Sequence, residues 1–422
     1  MREMKDSGVD WIGEIPRDWE IVQTKRVFRS IKRVVGNQVG EYERLALTLN
    51  GVIKRSKEDN EGLQPEKFEG YQILKENELV FKLIDLENVK TSRVGLSSYT
   101  GLVSPAYIVL TNESKDNRFY YYWFMFMYYN EVFNHLGGDG VRSALNAKDL
   151  TAIPVPFINK CKQHRIADYL DEKCSKIDAI IKKQQAVIEN LKAYKLSVIT
   201  EVVTKGLNPD TEMKDSEIEW IGVIPVHWSL CKLKYVTEIM RGKFNHRPRN
   251  DPKYYGGKYP FVQTGDVARA SKFIETYSQT LNELGYSVSK EFPKGSICMT
   301  IAANVGDVAV LNFDACFPDS VVGFVPAEET HWNYLYYVLS AMKQQFTRNA
   351  IISTQLNLNI EIIKEEFIPI VAYQEQLDIA QYLDNKCSAI ENSILRKKDI
   401  IEKLTAYKKS LIYEVVTGKK EV

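Results

Sequence analysis

Two stretches of the chain carry apolar residues at heptad spacing with no proline or glycine to interrupt them. Between Gln163 and Val203 one series reads Leu170, Ile177, Gln184, Leu191 and Val198. A second series, four residues later, reads Cys174, Ile181, Ile188, Lys195 and Val202. The other stretch repeats this as Leu383, Ile390, Lys397, Leu404 and Leu411, with Cys387, Ile394, Ile401, Lys408 and Val415. Eight of ten positions are apolar in each stretch, and the two polar exceptions fall at the same places. A seam sustained over this length predicts a long helix that buries one stripe against a partner helix. About forty residues make a rod of roughly 60 Å. Gly206 and Gly418 then read as stop signals. Cys174 and Cys387 lie in the seam and read as small core residues. A lone amphipathic helix leaves its seam wet, so each needs a partner, and the simplest is the other copy. A pseudo-twofold relation between the two would set the helices antiparallel, with the intervening modules at opposite ends.

The pattern between the helices is different. Residues 20–155 and 229–368 mix short alternating runs with glycine-rich turns. "YQILKENELVFKL" and "GLSSYTGLVSPAYIVLT" read as strands in the first module, and "SICMTI", "DVAVLNF" and "SVVGFVP" in the second. Each module also holds an aromatic run, "RFYYYWFMFMYYNEVF" at 118–133 and "HWNYLYYVLSAMKQQF" at 331–346. Aromatic clusters can stack on bases. Here the spacing is helical and nearly continuous, which points instead to a helix packed on a sheet. The expected class is α+β: two globular domains separated by two long antiparallel coiled-coil helices, with a pseudo-twofold internal repeat.

The repeat is explicit in the letters. "MKDSGVDWIGEIPRDW" from Met4 returns as "MKDSEIEWIGVIPVHW" from Met213, an offset of 209. "ADYLDEKCSKIDAII" (167–181) returns as "AQYLDNKCSAIENSI" (380–394), and "LKAYKLSVITEVVTKG" as "LTAYKKSLIYEVVTGK", both offset by 213. The period is too long for a solenoid and marks a duplicated unit. The ends of the copies match and their middles diverge, so one frame carries two unlike recognition modules.

Composition narrows the function without naming it. The 422 residues suffice for two or three domains, and the net charge of +1 gives no global field. No run of about 18 apolar residues predicts a membrane span, and the opening "MREMKDSGVD" has no apolar core of a signal peptide. Six cysteines without a C-x-x-C pair suit reduced thiols in a cytoplasm. Local charge is more telling. Residues 21–40 hold five Lys or Arg and no acid, and 241–258 hold six against one Asp. Both clusters follow the repeated tryptophan, as phosphate-contacting groups would. The candidates are Lys25, Arg26 and Arg29 in the first module and Arg241, Lys243, Arg247 and Arg249 in the second. Polar turns flanked by glycine add side chains suited to base edges. They supply Thr48, Asn50, Lys54, Arg55, Arg142, Ser143 and Asn146, then Gln263, Thr264, Arg269, Thr354, Gln355 and Asn357.

Catalytic signatures are missing. There is no G-x-x-x-x-G-K-[ST] loop, no dinucleotide or S-adenosylmethionine glycine turn, and no Asn-Pro-Pro-aromatic box. "PDTEMK" (209–214) has the letters of a nuclease site, but they are crowded into a linker. The five histidines, at 135, 164, 227, 246 and 331, have no ligand spacing, so no metal site is expected. A binding protein is favoured over an enzyme.

"DSGVDWIGEIPRDW", "SPAYIVL", "LNAKDLTAIPVPF" and "QHRIADYLDEKCSKIDAII", with "DSEIEWIGVIPVHW" and "QEQLDIAQYLDNKCSAI", resemble the specificity (S) subunit of a Type I restriction-modification system. The resemblance covers essentially the whole chain. The family's Pro…Glu-Gln entry to the helix is present as Pro369…Glu375-Gln376, whereas the first copy has Pro156…Lys162-Gln163 and departs by one charge. The resemblance implies target recognition domains at 1–157 and 207–369 (the latter with its linker), and conserved spacer helices at 158–206 and 370–422. It implies a non-catalytic subunit that reads an asymmetric, split site on double-stranded DNA. It also implies partners: two methylation subunits that carry S-adenosylmethionine and modify adenine, and restriction subunits that use ATP and Mg. Two other readings stand beside it. One is a nuclease or methyltransferase with diverged motifs, which would act on DNA alone. The other is a coiled-coil scaffold that binds only protein, for which the middles of the copies should not diverge.

Overall fold

A computed structural model describes residues 3–56, 67–84, 86, 93–114, 116–136, 144–244, 246, 249–351 and 358–422. Contacts divide the chain into two units, Met1–Gln184 with Lys398–Val422, and Gln185–Lys397. The two seams become helices over Lys160–Lys205 and Tyr373–Val416. The first starts three residues before Gln163 and the second three before Gln376. The first does so because Asn159 accepts the amide of Lys162 at 2.8 Å and caps the extra turn. The repeated glutamine then serves the chain entering each helix. Gln163 Nε2 donates to Ile158 O at 2.9 Å and Gln376 Nε2 to Val371 O at 3.1 Å. Gly206 and Gly418 follow the helices at φ +76° and +73°, a left-handed conformation that costs glycine little.

In the first unit, the start of the first long helix packs on the end of the second. Leu170, Cys174 and Ile177 share a core with Leu411, Ile412, Val415 and Val416. Lys408 lies 2.7 Å from Asp178, and Lys420 lies over the Tyr169 ring, so the segments run antiparallel. In the second unit Ile199, Val202 and Val203 share a core with Ile379, Leu383 and Cys387. There Lys195 pairs with Glu391, and a side chain at Gly206 would come within 3.7 Å of Glu375, again antiparallel. The polar exceptions Lys195 and Lys408 thus each meet an acid one repeat apart. Of the sixteen apolar seam residues, Ile181, Leu191, Val198, Ile401 and Leu404 are half-buried and the other eleven are buried.

Each unit adds a globular layer built on the same frame. In the first, Glu20–Gln23 pairs antiparallel with Pro154–Phe157, which leads into the helix. In the second, Ser229–Lys232 pairs the same way with Phe367–Ile370. The modules between these strands differ. Among the described residues the first has two four-stranded sheets. The second has a five-stranded sheet, ordered Thr237–Arg241, Val321–Pro326, Ile297–Thr300, Val308–Leu311 and Phe273–Ile274, and a four-stranded one. The aromatic runs form helices Arg118–Tyr129 and Trp332–Ala341, most of whose side chains are buried in the cores that also receive the long helices.

The repeated opening phrase closes each unit. Met4–Asp6 and Glu14–Pro16 form a hairpin, as do Met213–Asp215 and Val223–Pro225. The tryptophan after each hairpin is 1% exposed and packs where one long helix ends and the other begins. A side chain at Gly206 would come within 3.2 Å of Trp228, and one at Gly418 within 3.2 Å of Trp19. Lys162 pairs with Asp18 in the first unit, whereas Glu375 pairs with His227 at 3.3 Å in the second. The charge departure at Lys162 is therefore matched by its partner.

Burial also decides thiol chemistry. Cys161 is exposed and Cys231 half-buried, while Cys174, Cys298, Cys316 and Cys387 are buried. Loss of hydration pushes the Cys174 thiol up to about 11 and those of Cys298 and Cys316 up to about 12. Thiolate is the reactive form. Titration of the native chain with a disulfide reagent should therefore show Cys161 reacting at once and the four buried thiols reacting only on unfolding. Rapid reaction of all six would contradict this packing.

Candidate nucleic-acid interface

The cations read from the sequence fall at defined places within each unit. Lys25 and Arg26 sit on the short 3-10 turn Thr24–Arg26, anchored by the buried Thr24 hydroxyl, which donates to Ile153 O at 2.7 Å. Arg26 pairs with Glu20 at 2.7 Å on the surface and lies over the Phe157 ring. Lys25 and Arg29 are exposed and have no ion-pair partner among the described residues. Thr48 and Asn50 form the tip of the hairpin Arg44–Thr48/Gly51–Arg55. The Thr48 hydroxyl donates to Gly51 O at 3.0 Å and accepts the Asn50 amide at 3.1 Å, and Asn50 is exposed. Lys54 pairs with Glu43 at 2.5 Å, and Arg55 lies across the ladder from Arg44.

Asn146 plays a local role. Its Oδ1 accepts the amides of Lys148 and Asp149 at 2.8 and 3.1 Å, and Asp149 accepts the Asn146 amide in return. This is a capping box on the helix Ala147–Ala152. Its Oδ1 is therefore engaged in the cap, while the residue itself stays exposed.

In the second unit several groups converge at one end of the five-stranded sheet. Arg241 ends its strand and donates from Nε to Asp319 O at 2.6 Å, while Arg249 pairs with the Asp319 carboxylate. Gly242 is required between them. A Cβ there would lie 2.2 Å from Pro318 O. Ile301 N donates to Ser320 O at 3.0 Å, which brings the loop 302–307 to the same end. That loop has Ala303 at φ +53° and an exposed Asn304, neither of which sequence reasoning selected. The signal was a short polar turn, "ANVGD", between two strands. Lys243 is exposed beside this cluster with no ion-pair partner among the described residues.

Gln263, Thr264 and Arg269 belong to the short helix Thr264–Arg269. Gln263 donates to Gln279 Oε1 at 3.0 Å, Thr264 is half-buried, and Arg269 pairs with the buried Asp266. Arg142, Ser143, Arg247, Thr354, Gln355 and Asn357 lie outside the described residues. Among the described residues no cluster of three His, Cys, Asp or Glu could hold a metal ion, and no helix is long and apolar enough to cross a membrane.

The arrangement is a doubled frame whose two modules present different polar loops, as a protein that reads DNA in more than one place would. The profile of the "Type I restriction modification DNA specificity domain" matches the chain twice, over residues 16–190 and 225–403, and the chain belongs to that family. It is the non-catalytic DNA-recognition subunit of a type I restriction-modification system and assembles with DNA and with other subunits of the system. A protein of Methanocaldococcus jannaschii, provisionally assigned as the type I restriction enzyme MjaX specificity subunit, is 24% identical over 432 residues, which is 97% of this chain and 95% of the relative. The type I restriction enzyme MjaIX specificity subunit of the same organism is 28% identical over 201 residues, 46% of this chain and 45% of its own. A chain from a solved structure concerning complex assembly and conformational transition of the type I R-M system has the same fold. It superposes with a TM-score of 0.67 at 14% identity, over 96% of this chain and 99% of that one.

Proposed function

We propose that each unit reads one half of a split, asymmetric DNA site, and that the chain thereby directs adenine methylation and DNA cleavage by its partners. The modules 20–155 and 229–368 are the readers. The long helices are the frame that spaces them. Two methylation subunits supply S-adenosylmethionine, and restriction subunits supply ATP- and Mg-dependent cleavage, in the cytoplasm. The observation that carries this reading is the contrast between frame and module. Strand pair, hairpin, tryptophan and helix recur in both units, whereas sheet order and loop chemistry do not. Base readout depends on loop side chains, and phosphate contacts position them.

Lys25, Arg29 and Lys243 are the cations best placed to hold phosphates, because no acid among the described residues pairs with them. Arg249 and Arg269 would have to exchange an internal carboxylate for a phosphate. Single Ala substitutions at Lys25, Arg29 and Lys243 should weaken specific and non-specific binding alike. Each should reduce the slope of log K against log salt by about one unit. Fluorescence anisotropy with the chain in complex with its methylation subunit measures this. An unchanged slope in all three variants would place these residues away from DNA.

A further inference from the structure

The repeated Tyr-Leu-Asp in each long helix holds a residue that the seam does not use. Leu170 and Leu383 fill the seam, while the aspartates after them, Asp171 and Asp384, face the globular module of their own unit. In the first unit Tyr122 donates to Asp171 Oδ1 at 2.7 Å and Arg118 Nη1 to Oδ2 at 2.6 Å. Arg118 is itself held by Asp116 at 2.6 Å and Asp168 at 2.9 Å. In the second unit Tyr337 donates to Asp384 Oδ1 at 2.5 Å and Asn333 Nδ2 to Oδ2 at 2.8 Å, and Lys272 completes the site as an ion pair. The Lys272 ammonium is enclosed by the rings of Tyr337, Trp332, Tyr336 and Phe273 at 5.1, 5.2, 5.4 and 5.6 Å.

The two sites are alike in the helix and unlike in the module. The helix supplies the same acid one repeat apart. The module supplies a tyrosine from its aromatic helix each time, but the cation comes from different places. Arg118 opens the aromatic helix, whereas Lys272 comes from the loop before the strand Phe273–Ile274. Two unlike modules thus reach one anchor by separate routes. Apolar packing is non-directional and would hold a module on the helix without fixing its angle. Hydrogen bonds are directional, and charge-assisted ones are the strong ones. Burial opposes ionisation of Asp384, yet the bonds from Lys272, Tyr337 and Asn333 outweigh it and keep the carboxyl below its ordinary range.

We propose that Asp171 and Asp384 are positioning residues: each latches a DNA-reading module to its helix at one orientation, and through that orientation they set which spacing between half-sites is accepted. The proposal rests on the two-half-site reading above. The test is methylome sequencing of cells that carry the chain with its methylation subunit, comparing wild type with Asp384→Asn, Asp384→Ala, Tyr337→Phe and the exposed control Asp378→Asn. The readout is the distribution of spacer lengths among methylated sites, which a role in stability alone would not move.

Asp384→Asn should leave both half-site sequences unchanged. The preference for the native spacer over spacers one base pair longer or shorter should fall about tenfold, in proportion to a lost charged hydrogen bond. Asp378→Asn should match wild type. A uniform loss of methylation with an unchanged spacer distribution would overturn the proposal. If the Asp384 variants do not accumulate, Tyr337→Phe decides, because it keeps the ring and removes one bond. An unchanged distribution there overturns it equally. A wild-type methylome with a single undivided motif would instead sink the half-site reading, and the latch with it.

Discussion

Exchange of residues 20–155 for the corresponding module of another specificity subunit changes one half of the recognised site and leaves the other half as it was. Two structural facts make this the expected result. The exchange enters and leaves through the antiparallel pair Glu20–Gln23 and Pro154–Phe157, whose bonds run between backbones and tolerate new side chains. The second reader, its helix segments and its core lie in a unit that contributes none of these residues. The incoming module must bring a hydroxyl and a cation to Asp171 if it is to keep the bonds that Tyr122 and Arg118 make there. A module that keeps these groups should give a stable hybrid. Methylome sequencing of the hybrid reads the outcome, and a change in both halves would contradict the assignment of one reader to each unit.

Trp228→Ala is expected to cost about 3–5 kcal/mol of stability, the range for a large aromatic removed from a close-packed core. Trp228 is 1% exposed and shares a core with Ile199, Val202 and Val203 of the first long helix and Ile379 and Leu383 of the second. Its indole Nε1 also donates to Glu375 Oε1 at 3.1 Å, so the substitution removes a charged hydrogen bond as well as the ring. The left-handed turn at Gly206 rests against the same ring. Urea unfolding followed by far-UV circular dichroism measures the loss. A change below about 0.5 kcal/mol, the range of surface substitutions, would show that the repeated phrase does not hold the helix junction. The phrase recurs because each unit has such a junction, and Trp19 occupies the other.

Much of the frame was legible because it is periodic. The heptad seam located both long helices, and the left-handed glycines marked their ends. The aromatic runs read correctly as buried helices because their spacing left no face for solvent. The exchange of Lys162–Asp18 for Glu375–His227 was also legible in principle. Both partners change together between copies. The acids that occupy candidate DNA-binding cations were not legible. Arg249 meets Asp319 and Lys54 meets Glu43 across turns and sheets, and no local pattern announces such pairs. The Asn146 cap carries a readable signal, an Asn three residues before an Asp. Asp171 and Asp384 sit on helix positions that look solvated from the heptad alone, and only tertiary packing brings tyrosines and cations to them.

The central claim is that one chain holds two unlike DNA readers at a fixed separation. Methylome sequencing of cells expressing this chain with its methylation subunit tests it most directly. The expected result is one split adenine-methylation motif, with two unlike half-sites and a non-specific spacer of constant length, lost when the chain is omitted. An undivided motif, or two identical half-sites, would contradict it.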